Sequence, residues 1–182
     1  MNLLKQIGDY ATESGRVALP QVAVSFAALA TVTAATVADN WTHYSDPRFG
    51  AAVDVPPGFS AGEPPADDGG LEFTGADGRA RIAIYGLFNV ESQRLKEYSA
   101  FSMEKETEAG WQITYNRTSS SWFVHSGRNR DRIFYEKTIL ACDSSIVNSV
   151  WIEYPSSLKT RFDPIVERIS ASLRHEKAYE CR

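Results

Sequence analysis

Between Trp111 and Tyr154 the chain reads as four strand-like stretches in direct succession: Trp111 to Arg117, Ser121 to Ser126, Arg132 to Ala141 and Ile146 to Tyr154. Each is rich in aromatic and β-branched residues, and only short turn-forming clusters separate them. Strands joined by so few residues pair antiparallel, because a parallel pair needs a crossover of about a dozen residues or more. Helical patterns lie on both sides of this block and none lies inside it. That order argues for an antiparallel β-sheet packed by helices, an α+β fold, and against a doubly wound parallel sheet.

The flanking segments extend the same reading. Trp41 to Tyr44 and Ala51 to Val55 are strand-like around Asp46-Pro47. Leu71 to Thr74 and Arg79 to Leu87 flank Asp77-Gly78, a pair suited to the positive φ of a hairpin turn. Proline and glycine punctuate Pro56 to Gly70, which predicts a loop. Glu91 to Ala109 is predicted helical, with Leu95, Tyr98, Phe101 and Ser102 near one face and Gly110 placed as a C-terminal cap. A second helix ends near Leu173, carrying the stripe Leu158, Phe162, Ile165, Val166, Ile169 and Leu173. Asp163 and Pro164 suit its N-cap and first helical position.

Val17 to Ala38 carries no charged side chain, and as a helix at about 1.5 Å per residue it spans a hydrocarbon layer of about 30 Å. Thr36-Val37-Ala38 before Asp39 has the small-x-small pattern of a signal-peptidase site, so cleavage is expected between Ala38 and Asp39. The preceding Met1 to Arg16 mixes Lys5 and Arg16 with Asp9 and Glu13, which leaves an uncleaved anchor open. Residues 1–38 are therefore read as signal peptide or membrane anchor, and 39–182 as a single globular domain. In both cases that domain is expected outside the cytoplasm, periplasmic, secreted or tethered through residues 17–38. Cys142 and Cys181 suit that compartment as a disulfide, although spacing alone leaves two free thiols as the alternative.

Tyr44, Asp46, Arg48-Phe49-Gly50, Val53, Val55-Pro56 and Gly58-Phe59, with Tyr154-Pro155 and the closing apolar helix, resemble PsbP-like domains. That family includes small exported bacterial proteins of the DcrB and LpqN kind. The resemblance covers roughly Trp41 to Leu173 and implies an α/β/α sandwich. It further implies a binding, assembly or accessory role, and it carries no catalytic residue onto this chain.

A net charge of −4 with acids and bases interspersed predicts no nucleic-acid partner. His43, His125 and His175 lack ligand spacing, and Asp67, Asp68 and Asp77 lack the alternating pattern of a calcium loop. His43 and His125 are read as strand residues and His175 as a solvated residue beyond the last helix. No G-x-S-x-G surrounds Ser126. The expectation is no catalytic residue, no metal ligand and no cofactor. Arg128, Arg130 and Arg132 form the densest cation cluster, either a solvated turn or a contact for a phosphate, an anionic lipid headgroup or an acidic partner. The leading expectation is a non-catalytic envelope domain binding a protein or envelope component through a sheet face or through the loops around Pro56 to Gly70 and Arg128 to Arg132. One alternative is a membrane-anchored structural subunit. The other is a small hydrolase, favoured if a pocket brings His43 or His125 within reach of a serine and a carboxylate.

Overall fold

Strands β1 (Thr42–Ser45) and β2 (Ala51–Val55) pair antiparallel around a turn built by one side chain. Asp46 Oδ1 accepts the backbone N–H groups of Arg48 at 2.8 Å and Phe49 at 3.3 Å, the local bonding that makes Asp a turn residue. Gly50 closes the turn at φ 69°. A Cβ there would stand 2.6 Å from the Glu176 carbonyl oxygen, because Glu176 N–H donates to Gly50 at 2.8 Å where the chain returns. That return is β10 (Arg174–His175), which completes a small sheet of order β1-β2-β10. His175 is thus a strand residue packed beside Gly50 and not the solvated one expected, since its solvation depends on a contact more than a hundred residues away in sequence.

The coordinates are a computed structural model, and it describes residues 40–66, 69–176 and 181, all within one unit, Ala38–Arg182. The apolar segment 17–38, the expected cleavage point at Ala38 and Asp39, and Asp67 and Asp68 lie outside the described residues. Among the described residues no helix is long and apolar enough to cross a membrane.

The larger sheet has the order β3-β4-β5-β9-β8-β7-β6, every neighbouring pair antiparallel. Its strands are β3 (Phe59–Ala61), β4 (Gly70–Gly75), β5 (Arg81–Phe88), β6 (Gln112–Thr118), β7 (Trp122–Asn129), β8 (Arg132–Ala141) and β9 (Ile146–Pro155). Strand β3 lies inside the predicted loop. Its three residues gain ladder bonds only by pairing with β4, Phe59 opposite Gly75, so local proline content misled the reading.

Alternation along the strands gives the sheet two different faces. One carries Ile82, Ile84, Ile133, Val150, Ile152 and Tyr154 into the apolar core against Ala51, Val53 and Val55 of β2. Helix α2 (Lys159–Ser172) completes that core with Phe162, Val166 and Ile169. It follows a 3₁₀ turn at Ser156–Leu158, so Pro164 sits inside the helix and Asp163 is not its cap. Asp163 instead accepts Lys159 Nζ at 2.7 Å, four residues away. Burial of the stripe outweighs the one helical hydrogen bond that proline forgoes.

Helix α1 (Leu95–Glu108) rests on β6 and β7. It starts later than predicted because Asn89 holds the preceding segment as a turn, donating to the Gln93 carbonyl at 2.7 Å and accepting its N–H at 3.0 Å. Glu97 accepts the Arg94 N–H at 2.9 Å and closes the helix start. The inward face corrects the amphipathic reading: Leu95, Ser99 and Glu106 are buried, while Phe101 is 42% exposed.

Candidate functional site

The polar face of α1 has a polar counterpart on the sheet. Antiparallel register sets His125 of β7 directly opposite Glu136 of β8, which points both side chains to one face. On α1, Ser99, Ser102 and Glu106 are spaced three and four apart and share one side of the helix. Packing α1 on β7 encloses them. His125 is 0% exposed, Ser99 2%, Glu136 3% and Glu106 5%.

The bonding is continuous. Ser99 Oγ lies 2.9 Å from His125 Nε2, and His125 Nδ1 lies 3.2 Å from Glu106 Oε1. Glu136 Oε2 accepts from Ser102 Oγ at 2.9 Å and Glu136 Oε1 from the Tyr85 hydroxyl at 2.7 Å. Phe123 stacks on the His125 ring at 4.5 Å. Glu106 Oε2 is buried and no N–H or hydroxyl group donates to it, while the Glu136 carboxyl lies within hydrogen-bonding reach of Glu106. Burial pushes the Glu136 carboxyl up to about 7, and Glu106 beside it adds to the rise. Burial likewise raises Glu106 to about 7 and holds His125 below the usual imidazole range. Two carboxyl groups enclosed together favour one shared proton over two charges.

The sign of this coupling is testable. A carboxyl whose folded pKa exceeds its unfolded value contributes stability that is complete below the unfolded pKa and is lost as pH rises through the folded one. The carboxamide of Glu136→Gln never ionises. The variant should therefore gain on the parent chain as pH rises from about 5 to about 8, reaching roughly 2–3 kcal/mol. Urea midpoints of both chains across that range measure it, and a constant difference would refute the raised pKa.

Ser99, His125 and Glu106 have the connectivity of a hydrolase triad, which spacing along the sequence concealed. A triad also needs a site where the reacting atom reaches the nucleophile. Ser99 is sealed beneath the helix, and none of the four principal surface cavities is lined by Ser99, His125 or Glu106. The condition set for a hydrolase is half met: the hydrogen bonds are present, and the pocket is not among those cavities.

The other candidates fall apart spatially. Arg128 and Arg130 are exposed on the β7–β8 hairpin, while Arg132 bonds to Glu153 at 2.9 Å and to the Arg79 carbonyl at 2.6 Å. His43 lies on the other sheet, 3.0 Å from Glu176. Asp77 serves its turn, accepting the Arg79 N–H. Cys142 and Cys181 form a disulfide with a Cα separation of 5.0 Å, and His175 Nε2 lies 3.5 and 3.8 Å from the two sulfurs.

A surface feature escaped the sequence reading. Leu87, Phe88, Asn89, Val90, Glu91, Gln93, Tyr98 and Phe101 line a groove of about 420 Å³ where β5 leads into α1. Phe88 is 46% exposed and Val90 84%. The Phe88-Asn89-Val90 run was the available signal, hidden because it continues a strand and precedes a helix.

Sheet order, the helices on its two faces and the capping small sheet define a PsbP-like fold. The solution structure of cyanobacterial PsbP (CyanoP) from Synechocystis matches with a TM-score of 0.59 at 8% identity, covering 78% of this chain and 96% of that one. The Saccharomyces cerevisiae Ran-binding protein Mog1p matches at 0.57 with 14% identity, covering 75% and 95%. A Mog1 point mutant matches at 0.55 with 13% identity, covering 75% and 96%. At these identities the likeness is one of fold. Neither a protein-family model nor a curated protein matches the sequence.

Proposed function

We propose that this chain is a non-catalytic extracytoplasmic domain, of the DcrB and LpqN kind, that binds a protein partner through the groove at Phe88, Val90 and Phe101. The exposure of those three apolar side chains around one concavity carries the reading, because a concave apolar patch with aromatic walls accepts a partner's apolar side chain. The disulfide supports an oxidising compartment. The structural neighbour Mog1p is a Ran-binding protein, so this fold presents protein-binding surfaces in at least one other sequence. A segment 1–38 that is removed after Ala38 or retained as an anchor fits the same location.

Photo-crosslinking in the producing cell tests the surface. A photoreactive residue at Val90 is expected to give a discrete protein adduct, and Val90→Asp to weaken the interaction about tenfold or more. Adducts from position 130 alone would move the interface to the Arg128 and Arg130 hairpin. Adducts from neither position would sink the binding reading.

A further inference from the structure

We propose that Glu106, His125 and Glu136 form a buried binding site for one first-row divalent cation, of the zinc or manganese class. Three separate elements deliver one donor atom each, and all three atoms lie within 4.8 Å of one another. His125 Nδ1 is 3.2 Å from Glu106 Oε1 and 3.9 Å from Glu136 Oε2. Donors at about 2.1 Å from a tetrahedral zinc stand about 3.4 Å apart, so these separations bracket the spacing a single ion requires.

The surroundings are those of a supported ligand set. Ser99 Oγ bonds the far ring nitrogen, Nε2, and as a hydroxyl it serves as donor or acceptor. When Nδ1 binds the cation, the ring proton sits on Nε2 and that N–H donates a hydrogen bond to Ser99 Oγ. Tyr85 and Ser102 donate to the Glu136 oxygens and fix that carboxylate. Ser102 Oγ is also 3.5 Å from Glu106 Oε1, placing a neutral oxygen at the same point. Glu106 Oε2 is buried and receives no N–H or hydroxyl hydrogen bond, so apart from a proton shared with the Glu136 carboxyl nothing in the protein's own bonding satisfies it. A divalent cation supplies the positive charge that two enclosed carboxylates otherwise lack. The N,O donor set selects against soft ions such as copper(I). The site is independent of the surface groove, and either proposal stands if the other fails.

Because the ligands are sealed under α1, the full chain should be unfolded, stripped with chelator and refolded, disulfide intact, with or without zinc or manganese. After desalting, one ion per chain is expected, with a raised thermal midpoint. Glu106→Gln and Glu136→Gln, both isosteric, should each lose at least tenfold in affinity, and far-UV circular dichroism checks that they fold. His175→Gln, which alters the separate Cys142, His175 and Cys181 cluster, should bind as the parent does. Cobalt provides a second readout: weak ligand-field bands are expected, without sulfur charge transfer. No retained ion, binding unchanged in both glutamine variants, loss in His175→Gln, or thiolate bands would each overturn the assignment.

Discussion

Replacing Cys142 and Cys181 together by serine should lower the unfolding free energy by about 3–4 kcal/mol, the entropy of closing a loop between residues 39 apart. The bridge ties Cys181 to the turn between β8 and β9. That turn is costly on its own, because Cys142, Asp143 and Ser144 all have positive φ, at 53°, 52° and 71°. Non-glycine residues resist that region by roughly 1 kcal/mol or more each. The bridge also closes the site where β10 docks. Asn148, with its amide oriented to donate to the Val147 and Phe49 carbonyls, accepts from His175 Nδ1 at 3.0 Å. This pairing links β9, the β1–β2 turn and β10. The parent chain in reductant should match the double-serine variant in denaturant midpoint. An unchanged midpoint in both would show that the bridge contributes nothing.

Phe134→Ala should cost about 3–5 kcal/mol, the range for emptying an aromatic site in a packed core. Phe134 is 0% exposed and stacks on Trp151 at 4.2 Å with planes 1° apart, while Trp111 meets it edge-on at 5.0 Å. Gly127 of the neighbouring strand makes room for the ring, since a Cβ there would stand 2.6 Å from Phe134 Cε1. The void left by alanine is walled by backbone on that side and by two indoles on the others, so collapse is restricted and the larger part of the cost remains. Trp111 and Trp151 report directly. Their emission should shift to longer wavelength in the variant as water gains the stack, and an unchanged spectrum with a loss under 1 kcal/mol would refute the packing role.

The region from β6 to β9 was legible strand by strand. Arg132 to Ala141 coincides with β8, and each of the other three predicted stretches overlaps its strand. Those strands are joined by short turns and made of residues that favour extended backbone, so local information suffices. The Arg48-Phe49-Gly50 stretch carried part of the resemblance to PsbP-like domains, and its structural cause appeared only in three dimensions. Gly50 is needed because β10 approaches it, and Phe49 packs so close to Gly86 that a Cβ on that glycine would collide with the Phe49 Cβ.

The sequence by itself determined an α+β class, the run of antiparallel strands and the apolar face of α2, because each follows from period or turn chemistry, and it left open whether Cys142 and Cys181 pair. Only the tertiary structure decided what α1 buries. Helical periodicity ranks residues by hydropathy and pointed to Tyr98 and Phe101, whereas the sheet beneath offers His125 and Glu136. Polar side chains on both surfaces satisfy one another there, and an apolar helix face would have left them buried without partners. Serine, histidine and glutamate from residues 99 to 136 meet through register and packing, which no spacing along the chain encodes. The exposure of Phe101 is the consequence of the same choice on the outer side of α1.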